Sequence, residues 1–114
     1  MPESEIKVAL IGAGNWGRNL VKNFYHLGVL AAVVDEDEKR LHEVGKDYPD
    51  VKLLNSTDDV WDMPVSAVAI ATPAPTHYAL AKTALMAKKD VFVEKPLALR
   101  ATEAEELSSL AREN

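Results

Sequence analysis

The amino-acid sequence predicts a doubly wound α/β domain, in which helices cover both faces of one parallel β-sheet. Short, continuously apolar runs alternate with amphipathic segments along nearly all of the 114 residues. Strands that alternate with helices are joined by crossover connections and run parallel, and strands without polar alternation are covered on both faces. A chain of this length fits one domain with its own core, so we expect a single unit over residues 1–114.

Five apolar runs are the predicted strands. They lie at 6–11, 29–34, 51–54, 65–71 and 90–93. The run at 65–71 is continuous enough in its apolar character to be a central strand. The expected strand order is 3-2-1-4-5, which places a ligand crevice between strands one and four, where the order reverses.

Four amphipathic segments are the predicted helices, because their apolar residues recur at the helical period. They lie at 15–27, 38–48, 76–87 and 101–112, with one further helical turn at 58–63 that Ser56 or Thr57 caps. Gly28 is expected to end the first helix. The residues expected to face the sheet are Leu20, Val21, Phe24 and Leu27, then Leu41 and Val44, then Leu80, Ala84 and Leu85, and finally Ala104, Leu107 and Ala111.

The loop after the first strand carries the candidate phosphate-binding motif. Gly12-Ala13-Gly14-Asn15-Trp16-Gly17 matches the pattern G-x-G-x-x-G. Gly12 permits the tight turn out of the strand, Gly14 lets a pyrophosphate approach the backbone, and Gly17 lets the helix pack closely. The amides near Asn15 and Trp16 start a helix whose dipole adds positive potential. A glycine-rich turn is the alternative interpretation, but the flanking strand and helix favour a Rossmann-type dinucleotide site.

Asp35 ends the second predicted strand and is the candidate ribose-binding residue. It lies about 20 residues beyond the glycine loop, where the dinucleotide fingerprint expects a carboxylate. A carboxylate there accepts hydrogen bonds from ribose hydroxyls and repels a 2′-phosphate, so we expect NAD rather than NADP. Lys39 and Arg40 follow, and a basic residue at this place can serve NADP. A loop carboxylate or a helix cap is the other interpretation of Asp35.

Two further motifs carry a resemblance to a known family. They are Ala71-Thr72-Pro73-Ala74-Pro75-Thr76-His77-Tyr78 and Val93-Glu94-Lys95-Pro96-Leu97-Ala98. Together with the glycine loop, they make the chain resemble the family of glucose–fructose oxidoreductase, inositol dehydrogenase and the rhizopine-catabolism dehydrogenases. The resemblance covers essentially the whole chain, and its three motifs occur in the family's order.

The resemblance implies roles for residues in the second half of the chain. Ala71, Thr72 and Pro73 would lie along the cofactor, and His77 would begin the next helix near it. Lys95 would be the catalytic residue, reaching the nicotinamide and the substrate hydroxyl, and Glu94 would accompany it in the cofactor site. The alternatives are a helix-start His77 that faces water, a solvated Lys95 and a structural Glu94 that holds the turn.

The resemblance also implies a function. It indicates the cofactor-binding domain of an NAD(P)-dependent dehydrogenase that acts on a secondary alcohol of a sugar, polyol or nucleotide sugar. Members of the family continue into a substrate domain, whereas this chain stops at Asn114, so we expect no substrate pocket and no turnover by the chain alone. The expected partner is a second copy or a separate substrate domain. A stand-alone NAD-binding regulatory module and a methyltransferase are the competing interpretations.

Composition narrows the other possibilities. The net charge of -5 disfavours nucleic acid as a partner, because binding phosphates requires a basic surface. The chain has no cysteine, so disulfides and cysteine metal sites are impossible, and we predict no metal site. The acidic N-terminus is unlike a signal peptide, and the apolar runs are too short to span a bilayer. We therefore expect a cytoplasmic protein without membrane contact.

Overall fold

The computed structural model describes residues 6–93 and 101–113. Its strands are β1 (Val8–Ile11), β2 (Leu30–Val34), β3 (Lys52–Leu54), β4 (Ala67–Ile70) and β5 (Asp90–Val93). Its α-helices are α1 (Asn15–His26), α2 (Glu38–Asp47), α3 (His77–Met86) and α4 (Ala101–Glu113). Two short 3-10 helices occupy Thr57–Asp59 and Ala74–Thr76.

The strands form one parallel sheet in the order β3-β2-β1-β4-β5, which confirms the predicted topology. The last residues of all five strands share one row: Leu54, Val34, Ile11, Ile70 and Val93. The loops that leave the strands therefore begin along a single edge of the sheet. Strand order reverses between β1 and β4, and this reversal leaves the crevice typical of the fold class.

Apolar side chains on both faces of the sheet explain why the strands lack polar alternation. In β1, Leu10 packs in the cluster that contains the buried residues of α1 and α2, whereas Ile11 packs in the cluster that contains those of α3 and α4. The first cluster includes Val8, Leu20, Val21, Val33, Leu41, Val44 and Ala69, and the second includes Ala9, Val34, Val68, Ile70, Ala84, Leu85 and Leu107. Helices cover both faces, as expected.

Two residues expected to face the sheet do not. Leu27 is 71% exposed, because α1 ends at His26 and Gly28 turns the chain with a φ of +75°. In α4, Ala111 is exposed and Leu110 packs against the core in its place. The predicted turn at 58–63 is a shorter 3-10 helix, which Ser56 caps by accepting the Asp58 amide at 3.2 Å.

None of the helices in the described ranges has the length and apolarity that crossing a membrane requires.

Candidate functional site

A cleft of about 910 Å³ opens where the strand order reverses, a volume typical of small-molecule sites. The glycine loop, the end of β2 and the loop after β4 form its walls. Its lining includes Gly12, Gly14, Asp35, Arg40, Thr72 and Pro73. The structure thus brings the glycine loop and the motif that begins at Ala71 together around one cavity. Their positions at strand ends predict this arrangement.

Two of the three motif glycines are required by packing within the protein. Gly12 has a φ of +102°, and a Cβ atom there would lie 2.8 Å from the carbonyl carbon of Ala71. A Cβ atom on Gly17 would lie 2.0 Å from the carbonyl oxygen of Gly12, a distance that no packed structure accommodates. These two glycines keep the loop tight against β4 and α1 close to β1.

Gly14 differs, because the space beside it belongs to the cleft. A Cβ atom there would have the Arg40 guanidinium as its nearest neighbour, at 3.9 Å. Gly14 is also the N-cap of α1, with no side-chain cap and no acidic residue in the first turn. The amides of that turn therefore have no side-chain acceptor among the described residues, and the dipole of α1 favours an anion at this place.

Asp35 is held at the edge of the glycine loop by two backbone amides. Its Oδ2 accepts a hydrogen bond from the Ala13 amide at 2.8 Å, and its Oδ1 accepts one from the Asp37 amide at 2.8 Å. The side chain is 8% exposed, and the Arg40 guanidinium lies 3.7 Å from Oδ2. Asp37 caps α2 by accepting the Lys39 amide at 2.9 Å, so the helix-cap interpretation of Asp35 is wrong.

The loop after β4 is fixed by side-chain hydrogen bonds. Ala71 continues the ladder by donating its amide to Ile11 at 2.8 Å. The Thr72 and Thr76 hydroxyls lie 2.6 Å apart, and the Thr76 hydroxyl donates to the Pro73 carbonyl at 2.6 Å. These bonds hold Thr72 and Pro73 in an extended wall of the cleft.

His77 supports this wall from behind. It is 3% exposed, and its Nε2 lies 2.8 Å from the Thr72 carbonyl oxygen. Because a carbonyl only accepts, Nε2 carries the proton of this bond. The interpretation of His77 as a helix-start residue that faces water is therefore wrong. His77 is not among the described residues that line the cleft. The structure gives it a positioning contact with Thr72.

The remaining candidates divide into two groups. Trp16 is exposed in the first turn of α1, beside the glycine loop. Glu94 and the catalytic candidate Lys95 lie outside the described residues, although the end of β5 at Val93 shares its row with Ile11. The side chain of Asn15 also lies outside the described part of the chain, while its backbone begins α1.

Within 6–93 and 101–113, no cluster of acidic residues and histidines is arranged to hold a metal ion.

A polar cluster that the sequence did not reveal joins α3 to α4. The Tyr78 hydroxyl donates to Glu106, and Lys82 Nζ lies 3.1 Å from Glu106 Oε2. Hydrogen bonding to Tyr78 and Lys82 lowers the pKa of Glu106, and the bond to Glu106 raises the pKa of Tyr78. The sequence spacing places Tyr78 and Lys82 on one face of α3, where they can interact. Their common partner, Glu106, lies on α4, so the spacing alone does not predict the cluster. The cluster lies outside the cleft lining and ties two helices together.

Comparison with known proteins places these features in a family. Residues 6–114 match the family model described as an oxidoreductase family with an NAD-binding Rossmann fold. The chain is 33% identical over 113 residues to UDP-N-acetylglucosamine 3-dehydrogenase of Acidithiobacillus ferrooxidans, covering 95% of this chain and 34% of that protein. It is 32% identical over 114 residues to an NADP(+)-dependent scyllo-inositol 2-dehydrogenase of Bacillus subtilis, covering 94% and 32%.

A solved structure agrees with the sequence matches. An oxidoreductase from Agrobacterium radiobacter, in complex with NAD+, L-tartaric acid and magnesium, superposes with a TM-score of 0.87 at 27% identity. That match covers 96% of this chain and 33% of the other, so the chain spans about a third of the length of its relatives. The family model, the strand order and the glycine turn agree, and the chain belongs to the oxidoreductase family of glucose–fructose oxidoreductase, inositol dehydrogenase and the rhizopine-catabolism proteins, as an NAD-binding Rossmann-fold domain.

Proposed function

We propose that the cleft binds NAD(H) and that the chain is the cofactor domain of a dehydrogenase. The reaction exchanges a hydride between the nicotinamide and a secondary alcohol of a sugar, polyol or nucleotide sugar. The observation that carries the proposal is the place of Gly14 in the cleft wall, between the first-turn amides of α1, which no described side chain caps, and Asp35. Membership of an oxidoreductase family argues against the methyltransferase interpretation. No described residue favours a regulatory module over a dehydrogenase domain.

The cleft offers a separate place for each part of the dinucleotide. The pyrophosphate fits against Gly14 and the first-turn amides of α1, where backbone donors and the helix dipole favour negative charge. The adenosine ribose fits beside Asp35, whose carboxylate accepts hydroxyl hydrogen bonds. The wall at Thr72 and Pro73 then runs along the nicotinamide half. When bound, the nicotinamide supplies the hydride chemistry, and the protein supplies binding and orientation.

The carboxylate of Asp35 supports NAD(H) as the preferred cofactor. It is fixed by the amides of Ala13 and Asp37, so it cannot turn away from a 2′-phosphate placed on the ribose. Two negative groups at hydrogen-bond distance repel each other strongly when the carboxylate is this buried. The relatives include both an NADP(+)-dependent enzyme and an NAD+ complex, so preference depends on the residues of each cleft.

Catalysis would use residues beyond those described. By family resemblance we propose Lys95 as the group that polarises the substrate oxygen, with Glu94 beside it. The pair Glu94-Lys95 comes directly after Val93, the last residue of β5.

We propose a sugar-type substrate because the relatives include UDP-N-acetylglucosamine and scyllo-inositol dehydrogenases. We propose that a substrate-binding unit completes the site, and the cysteine-free composition fits a cytoplasmic setting.

Association with further protein would also cover β5. This strand lies at one end of the described sheet, and its Phe92 is 51% exposed beside Phe24, with ring centroids 6.5 Å apart. An exposed aromatic residue on an edge strand favours a second copy or another domain over it. We expect light scattering to give a mass above 12.5 kDa for the chain, and Phe92→Ser to lower that mass.

Binding of NADH by the chain is the direct test of the proposal. The chain has two tryptophans, so Trp61→Phe leaves Trp16 as the single indole reporter beside the glycine loop. We expect NADH to quench the Trp16 emission saturably, and calorimetry on the unmodified chain to give the same Kd. Trp16→Phe is the matched control, because it keeps Trp61, which packs against the core cluster of α3 and α4 rather than beside the glycine loop. An absence of heat and of quenching at millimolar NADH would overturn the proposal.

A further inference from the structure

Two hydroxyls form a directed hydrogen-bond chain in the cleft wall after β4. The Thr76 hydroxyl donates to the Pro73 carbonyl oxygen at 2.6 Å, and the Thr72 and Thr76 hydroxyl oxygens lie 2.6 Å apart. A carbonyl oxygen only accepts and a hydroxyl carries a single proton, so the proton of Thr76 is used at Pro73. Thr72 is therefore the donor in the bond between the two threonines. The carbonyl at the end of the chain fixes the direction of both protons.

The Thr72 hydroxyl oxygen is left as an acceptor with no proton to give to a ligand. A hydroxyl oxygen has acceptor lone pairs, and no described group donates to the one on Thr72. Thr72 and Thr76 both line the cleft, so the bond between them lies in its wall. The other branch of the Thr72 side chain is held too, because its methyl lies 3.1 Å from the position of a Cβ atom built on Gly12. The oxygen and the methyl therefore keep their places.

An acceptor in this part of the wall matches a hydrogen-bond donor on the nicotinamide riboside. Thr72 comes directly after Ala71, whose amide extends the ladder to β1, and lies beside Gly12 where the strand order reverses. The nicotinamide half of a dinucleotide offers ribose O–H groups and a carboxamide NH2 as donors. An oxygen that can only accept binds such a donor, and it disfavours a ligand that places another acceptor there.

We propose that Thr72 is a specificity-determining residue whose hydroxyl oxygen, kept as a pure acceptor by Thr76 and Pro73, accepts one donor hydrogen from the nicotinamide riboside. The proposal rests on the proposed function, since it requires a dinucleotide in the cleft. It adds the polarity of the contact: the ligand must donate at this place. Thr76 acts on the cofactor only through Thr72.

Two substitutions of nearly unchanged shape separate contact with the cofactor from support of the loop. Thr72→Val removes one hydrogen bond within the protein, whereas Thr76→Val removes two, so Thr76→Val should lower the melting temperature more. NADH affinity should fall in the opposite order, because Thr76→Val leaves the accepting oxygen of Thr72 in place. By calorimetry we expect a loss of about tenfold or more in Thr72→Val and of less than about threefold in Thr76→Val.

Two control variants and one NADH analogue complete the experiment. Thr72→Ser keeps the hydroxyl and should recover most of the NADH affinity. Thr83→Val is the matched control for the loss of a hydroxyl, since the Thr83 hydroxyl donates to the Ala79 carbonyl within α3 at 3.0 Å, and it should leave NADH affinity unchanged. The acetylpyridine analogue of NADH keeps both riboses and has no carboxamide N–H. A Thr72→Val loss confined to NADH identifies the carboxamide as the donor, and an equal loss for both ligands identifies a ribose hydroxyl.

The results separate this inference from the proposed function. If the wild-type chain binds no NADH, the proposed function fails and the inference fails with it. If the wild-type chain binds NADH but Thr72→Val changes the affinity less than about twofold, or if Thr76→Val weakens binding more than Thr72→Val does, the role of Thr72 is overturned while the proposed function stands. If a circular-dichroism melt shows that Thr72→Val does not fold, Thr72→Ala removes the same oxygen without adding a methyl and gives the same comparison.

Discussion

The two halves of the cleft are built by different means. The half at β1 and β2 depends on backbone: Gly12 and Gly17 have no room for a Cβ atom, and backbone amides hold Asp35. The half at β4 depends on side chains, because the hydroxyl of Thr76 and the imidazole of His77 fix the loop. Substitutions at Gly12 and Gly17 should therefore act through steric exclusion, and those at Thr76 and His77 through lost hydrogen bonds.

The largest effect is expected from Gly17→Ala in the backbone-built half. The added Cβ atom would lie 2.0 Å from the Gly12 carbonyl oxygen, so α1 must move away from β1. We predict a loss of about 3 kcal/mol or more in the free energy of unfolding, measured by urea denaturation. Gly28→Ala is the matched control, because Gly28 has a φ of +75° but nothing within 4 Å, and it should lose only about 1 kcal/mol. Equal losses in the two variants would contradict the steric argument.

A smaller effect is expected from His77→Leu in the half built by side chains. The substitution leaves the Thr72 carbonyl without its buried donor, which costs about 1–3 kcal/mol of folding stability. Because the loop then loses its anchor, we also expect weaker NADH binding by calorimetry. His42→Leu is the control, since His42 is exposed on α2. Unchanged stability and NADH binding in His77→Leu would show that the loop after β4 keeps its conformation without the His77 hydrogen bond.

The smallest effect is expected outside both halves, at Glu106. Its pKa is lowered in the folded chain through hydrogen bonds with Tyr78 and Lys82, so its contribution to stability is present above the usual carboxyl pKa of 4.5. That contribution is lost as the pH falls through the lower folded pKa. We predict that Glu106→Gln flattens the fall in stability below pH 4.5, while Glu105→Gln does not, and that neither variant changes NADH binding. A change in NADH affinity for Glu106→Gln would contradict the separation of this cluster from the site.

Most of the fold could be predicted from sequence because it depends on short-range patterns. Alternating apolar runs and amphipathic segments determine a parallel sheet, and the glycine spacing marks the turn between β1 and α1. The errors at Leu27 and Ala111 occur at or near helix ends, where a small difference in where the helix stops or how it is rotated moves a side chain from the core to the surface. Periodicity does not specify those details.

The site was predictable in its backbone half and less so in its side-chain half. The roles of Gly12 and Gly17 follow from the motif, whereas the burial of His77 depends on a carbonyl five residues earlier. The position of Arg40 in the cleft depends on where α2 begins, at Glu38. Such features arise from tertiary contacts, which a single sequence leaves open.

Gly14→Asp gives the most direct test of a cleft built for a pyrophosphate. The backbone at Gly14 is extended and has room for a side chain, and aspartate is a favourable N-cap for α1, so folding stability should be kept or increased. The same carboxylate would occupy the amides and repel the phosphates. We predict that calorimetry shows NADH affinity reduced about 100-fold or more with no loss of unfolding free energy. NADH binding within about twofold of the wild-type chain would contradict the assignment of this turn to the cofactor.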